Sequence, residues 1–231
     1  MIDVKRDFND RVNEIELYFS FIENIVLKEA KLIYPDNTIE VLSSDLSKIL
    51  KANSFLLLYN LSESCIKNAI EKIYTTLNNE GVSYDDLISS IKIEIIKFLK
   101  NNTNPKDFAE NINSITYDII MKCFDSEKVL SGNLDAKKVK DLALRYGFSS
   151  SILPIVNLDG TRTPIDTMDI LVVKNKRNDL AHGIYSFKEC GKEYTPQDLI
   201  RIKNNVIAYL RQILDNIETY IIDKDYLTTI I

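Results

Sequence analysis

Apolar residues recur at steps of three and four along most of this chain, the period of helices that bury one face. The first such run spans about Lys5 to Tyr34, with Phe8, Val12, Ile15, Phe19, Ile22, Val26 and Ala30 in register, and Pro35-Asp36-Asn37 is expected to end it. Ser43 to Ala52 predicts a short helix. Phe55 to Leu77 predicts a longer one, stopped by Asn78-Asn79-Glu80-Gly81. Asp85 to Lys100 and Asp107 to Phe124 continue the pattern. After the turn Leu130-Ser131-Gly132-Asn133-Leu134-Asp135, a helix is expected over Ala136 to Tyr146, with Asp135 or Asn133 as N-cap and Gly147 just past its end. Phe148 to Thr167 holds Pro154, Gly160 and Pro164 and reads as a long ordered loop. A helix from Asp166 to His182 follows, and Ile184 to Tyr194 reads as a short hairpin around Cys190-Gly191. Thr195-Pro196-Gln197-Asp198 is a strong helix start: an N-cap, a proline at the first position and an acid in the first turn. The last helix runs to about Ile222 on the stripe Leu199, Ile202, Val206, Leu210, Ile213 and Ile217.

The expected fold class is therefore all-α. A single helical unit over residues 1–231 is the simplest organisation; a division into an N-terminal half (1–124) and a C-terminal half (125–231) is the alternative. At 231 residues the chain can bury a sizeable core, and 45% hydrophobic with 27% charged residues is an ordinary globular composition. No run of about 18 apolar residues exists, so no membrane span is expected. The charged start Met1-Ile2-Asp3-Val4-Lys5-Arg6-Asp7 lacks a signal-peptide core, and Cys65, Cys123 and Cys190 are scattered without a CxxC pair. A cytoplasmic location with free thiols, and no zinc or other metal site, is the expectation. The net charge of −5 argues against broad, non-specific nucleic-acid binding. It leaves room for an enzyme that grips a few phosphates.

The chemistry concentrates in Arg177-Asn178-Asp179-Leu180-Ala181-His182-Gly183. His182 is the one histidine of the chain. Imidazole trades protons near neutral pH, and a fixed guanidinium can hold charge that builds on a phosphate. On a straight helix, five steps put Arg177 and His182 about 140° apart, whereas Asn178 and His182 share a face. Either the long arginine swings round or two copies of the helix assemble one site. Lys174 and Lys176 add a small basic cluster that could guide phosphate in, and Tyr185 and Phe187 could stack on a base, although packing explains both aromatics as well. Asp179 is assigned an orienting role at most, because an acid beside a phosphate site repels substrate. The plain alternatives are a helix-capping histidine without chemistry and an arginine in a surface salt bridge of little energetic value.

Arg177 to His182, with Asn178 after the arginine, resembles the R-x(4–6)-H signature of HEPN domains. The wider RNxLAHG form, the helix starting at Thr195, and the stretches Phe55 to Leu61 and Leu130 to Asp135 are similar to a branch of HEPN-like nucleases from prokaryotic defence and toxin loci. The resemblance implies a helical bundle that forms a homodimer with the motifs facing each other. It also implies metal-independent cleavage of RNA, with no cofactor, by 2′-hydroxyl attack that leaves 2′,3′-cyclic phosphate and 5′-hydroxyl ends. His182 would then be the acid–base group, Arg177 the clamp on the transition state and Asn178 a positioning residue. RNA, a second copy, and an antitoxin or defence-system protein are the partners it implies. A non-catalytic dimerisation or protein-interaction module of the same fold is the alternative.

Overall fold

The computed structural model describes residues 1–102, 133–156 and 159–228. It is mostly helical, with two small hairpins. Helix α1 (Ile2–Val26) buries Val4, Phe8, Val12, Ile15, Phe19, Ile22 and Ile25 on one stripe. It ends well before Tyr34. Ile25 rather than Val26 completes its buried stripe, Ala30 is exposed beyond its end, and the chain doubles back as strands β1 (Lys31–Ile33) and β2 (Ile39–Val41). Their register pairs Leu32 with Glu40 and Ile33 with Ile39. The Pro35-Asp36-Asn37 signal marks the turn of this hairpin, in which Asn37 has φ 66° and Asp36 Oδ1 accepts the Thr38 N–H at 2.9 Å.

The two helices expected over Ser43–Ala52 and Phe55–Leu77 are one continuous helix, α2 (Ser44–Asn79). Asn53 and Ser54 read as a break, but neither is a helix breaker on the scale of glycine or proline, and Ser54 is fully buried. Ser43 caps α2 by accepting the Leu46 N–H at 3.2 Å. This helix is the centre of the fold and packs against α1 and against three C-terminal helices described below. A 3-10 turn at Tyr84–Asp86 leads into α3 (Ser89–Asn102). The expected helix over Asp107 to Phe124, with Cys123, and the first half of the Leu130 to Asp135 turn lie outside the described residues.

Helix α4 (Ala136–Tyr146) has the predicted bounds, with Asp135 as N-cap and Gly147 at its C-terminal end. The stretch expected as a long ordered loop contains a small antiparallel hairpin, β3 (Ile155–Val156) with β4 (Arg162–Thr163). Helix α5 (Met168–Ala181) carries the Arg177 motif. The hairpin expected after it is instead a short helix, α6 (Phe187–Lys192). Its cause is a capping box: Ser186 Oγ accepts the Glu189 N–H at 3.2 Å, and the Glu189 carboxylate accepts the Ser186 N–H at 2.8 Å. Cys190-Gly191 is a close approach to α2 within that helix, not a turn. The last helix, α7 (Pro196–Ile222), starts with a second capping box between Thr195 and Asp198 and buries all six residues of its predicted stripe. Each such side chain contributes about 1.5–3 kcal/mol by leaving water. One apolar cluster joins α1, α2, α3, α4, α5 and α7.

Candidate active site at the end of α5

The turn that closes α5 fixes the motif. His182 is the C-cap, its backbone already off the helix at φ −93° and ψ 1°, and its N–H bonds to the Asn178 carbonyl at 2.9 Å. Gly183 then turns left-handed, with φ 67°. The Gly183 N–H reaches the Leu180 carbonyl at 3.3 Å and the Ile184 N–H reaches the Asp179 carbonyl at 2.9 Å, the two crossed bonds of a Schellman turn. The carbonyls at the helix end are thus satisfied by backbone, and the exposed imidazole has no capping duty. A Cβ on Gly183 would meet nothing within 4 Å, so Gly183→Ala costs only the left-handed backbone, about 1–2 kcal/mol. Thermal denaturation should show that loss; an unchanged Tm would mean that the turn is not held in this conformation.

Arg177 lies over the ring of Tyr59 on α2, its guanidinium carbon 4.4 Å from the ring centroid. Its Nη1 donates to Asn178 Oδ1 at 3.0 Å. Among the described residues no carboxylate pairs with it. Tyr59 is itself fixed at both ends: its hydroxyl accepts the Leu134 N–H at 3.2 Å and donates to Glu63 at 3.3 Å. Burial pushes the Tyr59 phenol up, partly offset by the Leu134 N–H and Arg177, so the ring stays neutral and its face keeps the negative quadrupole that attracts the cation. Asn178 also reaches Asn133, Nδ2 to Oδ1 at 3.4 Å. Three separate stretches of sequence, around Tyr59, Asn133 and Arg177, therefore meet at one point.

The other predicted site residues divide. Lys174 is bound to Asp135 at 2.6 Å, with both side chains mostly shielded from water. Burial pushes the Asp135 carboxyl up, but Lys174 and the Lys138 N–H outweigh it and hold it below the usual carboxylate range. Lys176 pairs with Glu193 and lies 5.2 Å from the Tyr185 ring centroid and 5.7 Å from that of Tyr194. Burial alone would lower the Lys176 pKa, yet Glu193 raises it above the usual lysine value. Both lysines are thus neutralised, and one face of the Tyr185 ring carries the Lys176 ammonium; Tyr185 is 40% exposed. Phe187 packs on the core. Asp179 contributes its carbonyl to the helix-end turn. Arg177 and His182 share no hydrogen bond. Among the described residues, no group of histidine, cysteine and acidic side chains could hold a metal ion, and no helix is long and apolar enough to cross a membrane. Cys65 and Cys190 are free and buried.

A family model described as HEPN_MAE_28990-like HEPN matches residues 3–226, nearly the whole chain. The chain belongs to the HEPN family. No curated protein and no solved structure matches it. Within this HEPN bundle the motif helix is held by α2, α4, α6 and α7, and its last turns carry an arginine without a carboxylate partner among the described residues and, on another side of the helix, an exposed histidine. Tyr59 lies within the apolar Phe55 to Leu61 stretch, and its spacing does not single it out as part of the site. The signal was a tyrosine where leucine or phenylalanine would fill space equally well, since a buried phenol must find polar partners.

Proposed function

We propose that this chain is a metal-independent endoribonuclease, acting in the cytoplasm as a toxin or defence effector. The observation that carries the reading is that the last turns of one helix carry both an Arg177 guanidinium with no carboxylate partner among the described residues and an exposed His182 imidazole. Membership of the HEPN family supports it. In this reaction a general base takes the proton of the 2′-hydroxyl, the 2′-oxygen attacks the adjacent phosphorus, and the 5′-oxygen leaves with a proton from a general acid. The products are a 2′,3′-cyclic phosphate and a 5′-hydroxyl. His182 supplies base and acid, Arg177 stabilises the charge on the phosphoryl oxygens, and Asn178 holds the guanidinium. A single α5 separates Arg177 from His182 by about 140° around the helix, which favours a homodimer whose two motifs form one cleft. RNA incubated with the purified chain in EDTA should be cut with cyclic-phosphate ends. An intact RNA with EDTA and with magnesium alike would remove the assignment.

Tyr59 holds the clamp in this scheme. Tyr59→Phe keeps the ring face, whereas Tyr59→Leu removes it. A cation–π contact of about 0.5–2 kcal/mol corresponds to a fall in cleavage rate of about 2- to 30-fold for the leucine variant, with the phenylalanine variant close to wild type. Equal rates for Tyr59→Leu and wild type would mean that the stack does not position Arg177.

A second reading, a non-catalytic module that dimerises or docks another protein, is favoured by the acid partners of Lys174 and Lys176 and by the net charge of −5. It is supported instead if RNA stays intact while a stable protein complex forms.

A further inference from the structure

Between α4, α7 and the segment before β3 lies a pocket of about 360 Å³, lined in part by Ala136, Lys140, Ser150, Ser151, Thr167 and Tyr209. Tyr209 is only 2% exposed, and its hydroxyl makes no hydrogen bond among the described residues. The hydroxyl is not among the sealed-off polar atoms of the interior, so it keeps access to solvent and to a hydrogen-bonding ligand. The Thr167 side chain is free as well, since it does not cap α5 although it occupies the N-cap position. Lys140 has no ion pair among the described residues. Burial pushes the Tyr209 phenol far up, so it remains a neutral donor.

This lining has hydroxyls and one ammonium and no carboxylate. Asp135 is felt by Tyr209 but is neutralised by Lys174. Such a set, with Ala136 and Ile152 as its apolar part, suits a ligand that carries both hydroxyls and negative charge, as a ribose with its phosphate does; a cation finds no complement there. The pocket and the motif also lie along one face of α5. At about 100° per residue, Thr167, Lys174, Asn178 and His182 fall within an arc of about 80° on α5. They form a track about 20 Å long from the pocket to the imidazole. Beside that track, Asn133 touches Asn178, Asp135 holds Lys174, and Ala136 lines the pocket.

We propose that this pocket is a subsite for a ribose–phosphate unit of the same RNA strand whose scissile bond lies at His182, an inference that rests on the ribonuclease reading. The test compares cleavage of a mixed-sequence single-stranded oligoribonucleotide of about a dozen nucleotides with cleavage of a ribodinucleotide too short to span the track. Tyr209→Phe removes only the hydroxyl and Lys140→Gln only the charge. Each should raise KM for the oligonucleotide about 2- to 10-fold with kcat unchanged, and leave the dinucleotide unaffected. An unchanged KM for the oligonucleotide overturns the subsite while the ribonuclease reading stands. Equal losses on both substrates overturn it too, because they signal a structural effect. A wild-type chain that cuts neither substrate overturns the ribonuclease reading and the subsite with it.

Discussion

His182→Ala is expected to lower the rate of RNA cleavage by about 10²–10⁴-fold, the range spanned by a lost general acid–base group. Stability should be unchanged. The imidazole is exposed, and the turn that ends α5 is closed by the backbone N–H groups of His182, Gly183 and Ile184, which alanine preserves. The contrast with Gly183→Ala is therefore diagnostic: adjacent residues, one expected to lose chemistry without stability and the other stability before chemistry. Arg177→Lys should be nearly as damaging as His182→Ala. Lysine keeps the charge but not the planar fork that stacks on Tyr59, bonds to Asn178 and can take two phosphoryl oxygens at once. The measurement is single-turnover cleavage alongside thermal denaturation. A His182→Ala protein that cuts RNA at the wild-type rate would leave the motif without a catalytic role, whatever its family.

Much of this arrangement is legible in the sequence. The amphipathic stripes of α1 and α7, the bounds of α4 and both of its terminal residues follow from side-chain period and capping chemistry, which act over a few residues. The errors arose where a local signal had two physical meanings. Pro35-Asp36-Asn37 ends a helix or turns a hairpin with equal ease. Cys190-Gly191 looked like a turn because glycine usually marks one, while the Ser186–Glu189 capping box a few residues earlier already specified a helix. The site followed the same rule. Arg177, Asn178 and His182 were visible as a local motif. The acid partners of Lys174 and Lys176 and the ring beneath Arg177 come from Asp135, Glu193 and Tyr59. Those contacts exist only once α2, α4 and α6 have packed around α5, and no spacing along the chain encodes them.

Gly191→Ala is expected to be the most destabilising small substitution in the C-terminal part of the fold. A Cβ at this position would sit 1.9 Å from the carbonyl oxygen of Lys48, 2.7 Å from its carbon and 3.1 Å from its Cα. These are backbone atoms of the central helix, so no side chain can swing aside to make room. Nor can α6 slide away freely. The Lys51 ammonium bonds to the Tyr194 carbonyl at 2.6 Å, Phe55 meets Tyr194 edge to face at 4.8 Å, and Lys188 pairs with Asp45 at 3.0 Å. Overpacking of this kind costs about 3 kcal/mol, a fall in Tm of roughly 6–12 °C for a chain of this size. The displacement would also reach the motif, because α6 begins a few residues after Gly183 and supplies, at its end, the Glu193 and Tyr194 that hold Lys176. Two readouts follow from one cause. The denaturation midpoint should drop, and Cys190, now fully buried, should become reactive toward a thiol reagent in the native state. Wild-type stability with an unreactive Cys190 would mean that α6 and α2 are not in backbone contact at this point, and that the helix after the motif is held in place by its side chains alone.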